Sequence, residues 1–247
     1  MAAQRRTALV TGSNKNIGRA CVLHLAAAGC NVVVNGAQDE GAAANVVAEA
    51  KALGVEAIMA MGDVGRREQC LAIADTALSR FGAVDILVNN AAIRKDGKFL
   101  EMTEEDWRYA MAVNFDAAYW LARACLPGMV AKGWGRIINF AGMNAIHGYN
   151  GRAHVSASKH AAWGLTKALA KEFGPRGITT NIVSPGPIMG EAQDAVQAAH
   201  IAPMKARVPL GRLGTPDEVA AAVALLASDG GAFINGQMIQ VNGGAET

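Results

Sequence analysis

Residues 7–18 read TALVTGSNKNIG, and an alanine-rich stretch, RACVLHLAAAG, follows at once. The first five of these residues are apolar or β-branched on consecutive positions, as a strand covered on both faces requires. Gly12 then permits a tight turn, and Gly18 opens the helix where backbone must come close to a neighbour. A helix that starts directly after such a turn points its free N–H groups at whatever lies above the strand, and a pyrophosphate suits them. Only two of the three glycines usual in a dinucleotide turn are present. Asn16 takes the place of the middle one, and asparagine tolerates positive φ better than most residues. On this segment alone, a tight turn that binds nothing reads the same.

The same alternation runs outward along the chain. Strands are predicted at 7–11, 31–35, 56–61, 86–89, 136–140, 179–183 and 238–241, with helices at 17–28, 40–53, 66–81, 104–132, 155–173 and 216–227. Repeated strand–helix–strand units at this spacing predict an α/β fold: a doubly wound, parallel, seven-stranded sheet with helices on both faces. The boundaries carry their own chemistry. Gly29, Gly54 and Gly82 follow three helices as C-caps, Thr103 precedes Asp106 by three residues as a helix start, and Thr215-Pro216 is an N-cap with proline at the first helical position. No linker composition and no internal repeat divides the 247 residues, which reads as one domain, 1–247. The proline-rich excursion 185–213 lacks strand character; its part from about 187 to 213 is predicted to be a substrate lid, the alternative being an ordinary surface loop.

Composition narrows the function classes. Lys and Arg number 23 against 21 Asp and Glu, a formal charge of +2, with no basic stripe, so neither nucleic acid nor an anionic membrane surface is an expected partner. Hydrophobic residues make up 51%, enough for a full core. The four cysteines, Cys21, Cys30, Cys70 and Cys125, have no CxxC spacing, which argues against a disulfide framework or a zinc ribbon, and no metal is expected. No apolar run approaches the roughly 18 residues of a membrane span, and the short basic start is not followed by a signal-type apolar segment. The expected location is the cytoplasm.

Further motifs fall where successive strands end, the edge at which open α/β sheets bind ligands. Asp63-Val64 follows the third strand, Asn89-Asn90-Ala91-Ala92 the fourth, and Ser184-Pro185-Gly186 the sixth, while Val113-Asn114-Phe115 lies inside the long helix. TGSNKNIG, GDV, NNAA, VNF, VSASK, SPGPI and INGQMIQVNGG, in this order and spacing, resemble the short-chain dehydrogenase/reductase superfamily over essentially the whole chain. The resemblance implies a single Rossmann-type domain, assembled as a homotetramer, with NADP or NAD along the strand ends and a small-molecule substrate. It places Gly12, Asn14, Lys15, Ile17 and Gly18 on the pyrophosphate and adenosine side, and Asp63 and Val64 at the adenine. Asn89 and Ala91 would lie along the ribose, Lys159 would hold the nicotinamide ribose, and Pro185, Gly186 and Ile188 would touch the nicotinamide. Ala92 and Asn16 stand where the family pattern has glycine.

The choice of dinucleotide is a question of charge. An NAD site has an acid near the end of the second strand, for the ribose 2′-hydroxyl. Here that end reads Val34-Asn35-Gly36-Ala37-Gln38, with Asn35 as the cofactor-side residue and no carboxylate before Asp39. Nothing there repels a 2′-phosphate and Lys15 could pair with one, although no arginine follows the strand. The balance leans to NADP over NAD.

The reaction centre departs from the family. Its members use serine, tyrosine and lysine with a helix asparagine; the tyrosine exchanges a proton with the substrate oxygen and stands one helical turn before the lysine. In His154-Val155-Ser156-Ala157-Ser158-Lys159 that position is Val155, and the serine position is Gly142. Tyr149 is ten residues before Lys159, too far for a one-turn arrangement, and a Tyr-x6-Lys pattern would need tyrosine at Arg152. Asn114 and Lys159 remain, with His147, His154, Asn144 and Tyr149 as candidate replacements; each histidine or tyrosine has the plain alternative of a surface or packing role. Histidine suits proton transfer near neutrality. The expected function is hydride transfer to or from a small carbonyl, imine or quinonoid substrate by a non-standard site. The alternatives are a non-redox enzyme (lyase, isomerase or hydrolase) in the same pocket and a catalytically inactive nucleotide-binding protein.

Overall fold

In the computed structural model, residues 5–143, 147–190, 203 and 205–246 are described. Seven strands, β1 Thr7–Val10, β2 Asn31–Val34, β3 Ala57–Met59, β4 Ile86–Asn89, β5 Gly135–Phe140, β6 Ile178–Pro185 and β7 Met238–Val241, pair in parallel in the order β3-β2-β1-β4-β5-β6-β7. The main helices are α1 Asn16–Ala27, α2 Glu40–Ala52, α3 Arg67–Phe81, α4 Glu104–Met111, α5 Ala117–Lys132, α6 Ala153–Phe173 and α7 Pro216–Ala227. The expected doubly wound architecture is the observed one.

The register shows why consecutive apolar residues were needed. Val10 lies beside Val34 and Val88, and Val88 beside Ile138; these face one core with α1, α2 and α7. Their neighbours in sequence, Leu9, Val33, Leu87 and Ile137, pair in the same way and face the opposite core, with α3 and α5. Side chains alternate along a strand, so a sheet covered twice spends every residue on a core. Leu9, Leu87 and Ile137 are almost wholly inaccessible, each burial stabilising the fold by roughly 1.5–3 kcal/mol. Cys21, Cys70 and Cys125 belong to these cores; burial pushes their thiols up to about 12, so they pack as small apolar groups.

Three boundaries differ from expectation. The strand predicted over 56–61 contracts to Ala57–Met59 at the sheet edge, and the sixth lengthens to Ile178–Pro185 because it pairs on both sides. The helix predicted over 104–132 is broken by a π-turn, Ala112–Asp116. A π-turn uses the same residue types as the helix around it, so the sequence carries no punctuation there; such turns recur at functional sites. Helix starts behave as read: Thr103 accepts from the Asp106 N–H, and Thr215 forms a full capping box with Glu218, whose partnership the sequence reading had not drawn. The middle of the predicted lid, 191–202 and 204, lies outside the described residues. Its ends are closed on each other by a bridge between Ile188 and Gly214 and by a hydrogen bond of 2.9 Å from Met189 N–H to Gly214 O.

Between β1 and β4 the strand order reverses, which opens a crevice above their carboxyl ends. Everything of chemical interest converges there.

Candidate active site

The turn after β1 is held from both sides. Asn35, at the end of β2, accepts from Gly12 N–H (3.1 Å) and donates to Ala60 O and Gly62 O (2.9 and 3.1 Å). From β4, Asn90 donates to Thr11 O and Gly12 O at 2.9 and 2.8 Å. Asn35 was expected to face the cofactor, but its side chain is spent on bracing the turn. Asn90, which lies between the expected ribose residues Asn89 and Ala91, does the same from the other side. Gly12 has φ +58, and a Cβ there would stand 2.9 Å from Ala91 Cα; at Gly18 it would meet Gly12 O at 2.2 Å. Asn16 adopts φ +49, the conformation foreseen for it.

The result suits an anion. No side chain caps the N-terminus of α1, and no acid lies in its first turn, so the positive end of the helix faces the crevice uncompensated. Lys15 stands exposed at that end. Asn14 bridges to Gln38 O (3.3 Å), across Gly36. The first carboxylate after β2, Asp39, accepts from Ala42 N–H at 3.0 Å as the N-cap of α2. It is occupied there rather than offered to a ribose. Asp63 accepts from Gly65 N–H and from the Tyr109 hydroxyl, both at 2.9 Å; Val64 is buried beside it.

At the other end of the crevice, Gly142 follows β5 with φ +150, and a Cβ built on it would meet nothing within 4 Å among the described residues. Val155 is buried at 2% exposure, one turn before Lys159. Lys159 donates to Phe140 O at 2.7 Å, and its two remaining N–H groups have no partner among the described residues. Burial, and after it the charge of Arg94, brings Lys159 down to about 7. A chain of amides sets α6 against the sheet: Asn89 Nδ2 donates to Asn139 (2.8 Å), Asn139 to Thr166 (2.9 Å), and Thr166 to Ala162 O (2.8 Å). Asn89 Oδ1 is left buried without a partner, an open acceptor at the end of β4.

Asn114 sits within the π-turn, buried. Its Oδ1 accepts from Ile93 N–H (2.9 Å), while Nδ2 donates to Ile93 O (3.1 Å) and to Ser158 Oγ (3.2 Å). Its side chain therefore joins the loop after β4 to the residue before Lys159. The candidate replacements for tyrosine fare differently. His154 is 2% exposed, with Nδ1 unpartnered among the described residues. His147 pairs with Glu246 at 2.5 Å near the C-terminal end, and Tyr149 is half-exposed under the Arg152 guanidinium, 4.9 Å from its ring centre. Asn144 lies outside the described residues. At the end of β6, Gly186 N–H reaches Val241 O (3.0 Å), while Pro185 ends the strand and Ile188 bridges Gly214.

A family model described as enoyl-(acyl carrier protein) reductase matches residues 12–246. The chain belongs to the short-chain dehydrogenase/reductase superfamily. It is 40% identical over 240 residues to a 3-oxoacyl-(acyl-carrier-protein) reductase of Synechocystis, covering 97% of this chain and 96% of that one. Similarity extends to the FabG reductase of that description in Staphylococcus aureus, 38% over 239 residues (97% of both chains). It extends also to nodulation protein G of Azospirillum brasilense, 36% over 240 residues, 97% of this chain and 98% of the relative. As a short-chain dehydrogenase/reductase, the chain is an NAD(P)-dependent oxidoreductase. The open α1 terminus, the acceptor left open at Asn89 and the lack of any carboxylate between the end of β2 and Asp39 fit that cofactor, NADP in particular. Among the described residues no helix is long and apolar enough to cross a membrane.

Proposed function

We propose that this oxidoreductase exchanges hydride with a small carbonyl, imine or quinonoid substrate using NADP, without the hydroxyl pair of its family. The observation that carries the reading is the aliphatic Val155 one turn before a buried Lys159, with Gly142 opposite. Gly12, Asn14, Lys15, Ile17 and Gly18 would hold the pyrophosphate side, Asp63 and Val64 the adenine, and Asn89, Ala91 and Lys159 the riboses. Pro185, Gly186 and Ile188 would border the nicotinamide. When bound, the dinucleotide supplies or accepts the hydride.

The protein's own contribution is positional and protic. Lys159, brought down to about 7 by burial, can exchange a proton near neutral pH, and in its protonated form the N–H groups not given to Phe140 O suit a ribose hydroxyl and a substrate oxygen. Asn114 keeps Lys159 and the loop after β4 in one arrangement. His154 and Tyr149 act as packing groups in this reading, and His147 as a group at the rim.

A positioned acid contributes about 10²–10⁴-fold, on the order of 3–5 kcal/mol of barrier. An unactivated ketone feels that loss in full, whereas an iminium or quinone accepts hydride with less help. NADPH oxidation followed by absorbance against ketone, imine and quinone panels tests the reading, with a 3-oxoacyl thioester included because of the relatives' names. Silence across all panels with NADPH bound refutes it in favour of an inactive binder. Turnover without change in the nicotinamide band would favour a lyase, isomerase or hydrolase. We assign the assembly as a homotetramer, consistent with exposed Tyr119 on α5 and Phe233 before β7; sedimentation reads it directly.

A further inference from the structure

We propose that Tyr109 is a positioning residue for the dinucleotide: its hydroxyl sets the Asp63 carboxylate so that it selects an adenine, with its exocyclic amino group, at that end of the crevice. This rests on the cofactor reading above, in which Asp63 faces the adenine, and adds what fixes that carboxylate.

Asp63 lies beyond the carboxyl end of β3, and its segment is fastened to the dinucleotide turn. Gly62 N–H donates to Gly36 O at 3.0 Å, and Asn35, which holds Gly12 N–H, also donates to Gly62 O (3.1 Å). The backbone of Asp63 is held as well: its N–H donates to Gln69 Oε1 (2.8 Å), and its carbonyl accepts from Arg66 N–H (3.0 Å). The carboxylate itself is gripped from two directions. Oδ1 accepts from Gly65 N–H within the turn, and Oδ2 from the Tyr109 hydroxyl on α4, each at 2.9 Å. Arg66 Nε stands 3.7 Å from Oδ2. Burial, and then the bond to Asp63, push the Tyr109 hydroxyl up, so it keeps its proton and remains the donor.

Tyr109 cannot drift from this contact. Gly65 lies so close to α4 that a Cβ there would stand 2.5 Å from Val113 Cγ2 and 2.9 Å from Tyr109 Cε2. Shortly after Tyr109, Asn114 locks the π-turn to Ile93 and Ser158. The last torsion of an aspartate is otherwise broad. Here bonds from the turn and from a separate helix hold it at one value, while a fifth of the side chain stays open. Each carboxylate oxygen has a second lone pair to offer. An adenine amino group donates to such an oxygen, whereas the carbonyl of hypoxanthine, itself an acceptor, is refused by it.

Equilibrium binding decides the matter. NADPH and its hypoxanthine analogue, in which a carbonyl oxygen replaces the amino group, are titrated by fluorescence. The parent should bind NADPH about 10- to 100-fold tighter than the analogue, the worth of a hydrogen bond to a charged group. Tyr109→Phe keeps the ring and loses the hydroxyl. It should weaken NADPH by about 3- to 10-fold, the cost of ordering one freed side chain, and leave the analogue within about twofold. Gly65→Ala, which pushes the ring and Val113 away, should narrow the ratio in the same way, and Asp63→Asn should erase it. A merely structural Tyr109 would lower Tm and shift both affinities together. That result, or a Tyr109→Phe ratio within about twofold of the parent's, overturns the proposal; a preference lost in Asp63→Asn alone would leave the cofactor reading standing. A parent that binds no NADPH, or binds both dinucleotides equally, would strike the adenine's place at Asp63 and the role of Tyr109 with it.

Discussion

Val155→Tyr combined with Gly142→Ser restores both hydroxyl positions and puts the assigned chemistry at risk. Position 155 precedes Lys159 by four residues, so a phenol there rises on the face that carries the ammonium. Its backbone carbonyl already accepts from Ser158 (2.9 Å), a bond the change of side chain preserves. At 142 a Cβ meets nothing within 4 Å among the described residues, which leave serine room, but φ +150 is a conformation that residues with a Cβ seldom hold. The backbone strain amounts to about 1–3 kcal/mol. A larger ring at a site only 2% exposed adds overpacking of about 1–3 kcal/mol. Urea denaturation of each single variant, with Gly142→Ala separating strain from hydroxyl, should return those losses. Against methyl acetoacetate, which is neutral and unactivated, the folded double variant should oxidise NADPH about 10²-fold or more faster than the parent. If it folds cooperatively, binds NADPH and stays within a few-fold of the parent, some other acid already fills that slot.

The remaining expectations are narrower. Lys159 falls from 10.5 to about 7 on folding, so the unfolded chain binds the extra proton between those values and stability must rise with pH from about 7 toward 10.5. Lys159→Met should flatten that slope in denaturation at several pH values, and should remove a reductive limb of kcat/KM that falls as pH rises through about 7. Ala37→Asp places a carboxylate two residues nearer the end of β2 than Asp39, which caps α2; it should weaken NADPH binding on the order of tenfold or more while sparing NADH, measured by fluorescence titration. Thr215→Ala dismantles the capping box of α7 and should cost about 1 kcal/mol, read as a lowered Tm with cofactor affinity unchanged.

Much of the molecule was legible in one dimension because its signals are local. Turn glycines, capping threonines and runs of consecutive apolar residues act within a few positions of themselves, and α7 and β4 lie where pattern alone put them. The crevice followed from the order of strands and helices. The roles of the asparagines did not. Asn35 reads as a residue facing a ribose but is consumed by Gly12, Ala60 and Gly62, three partners from separate segments. His154, adjacent in sequence to the vacant tyrosine position, does not share its slot, because neighbouring residues on a helix point about 100° apart.

By itself, the order of residues decided the architecture, the dinucleotide crevice and the loss of two hydroxyls, since each depends on spacing or on the mere identity of a side chain. Only the folded chain decided which charges stand alone. Asn114 ties Ile93 to Ser158 across 65 positions and so sets the segment of Lys159, whose one hydrogen-bond partner among the described residues is the Phe140 carbonyl. Whether a cation is neutralised depends on every carboxylate that folding brings near it, and that sum over distant parts of the chain has no counterpart along the sequence.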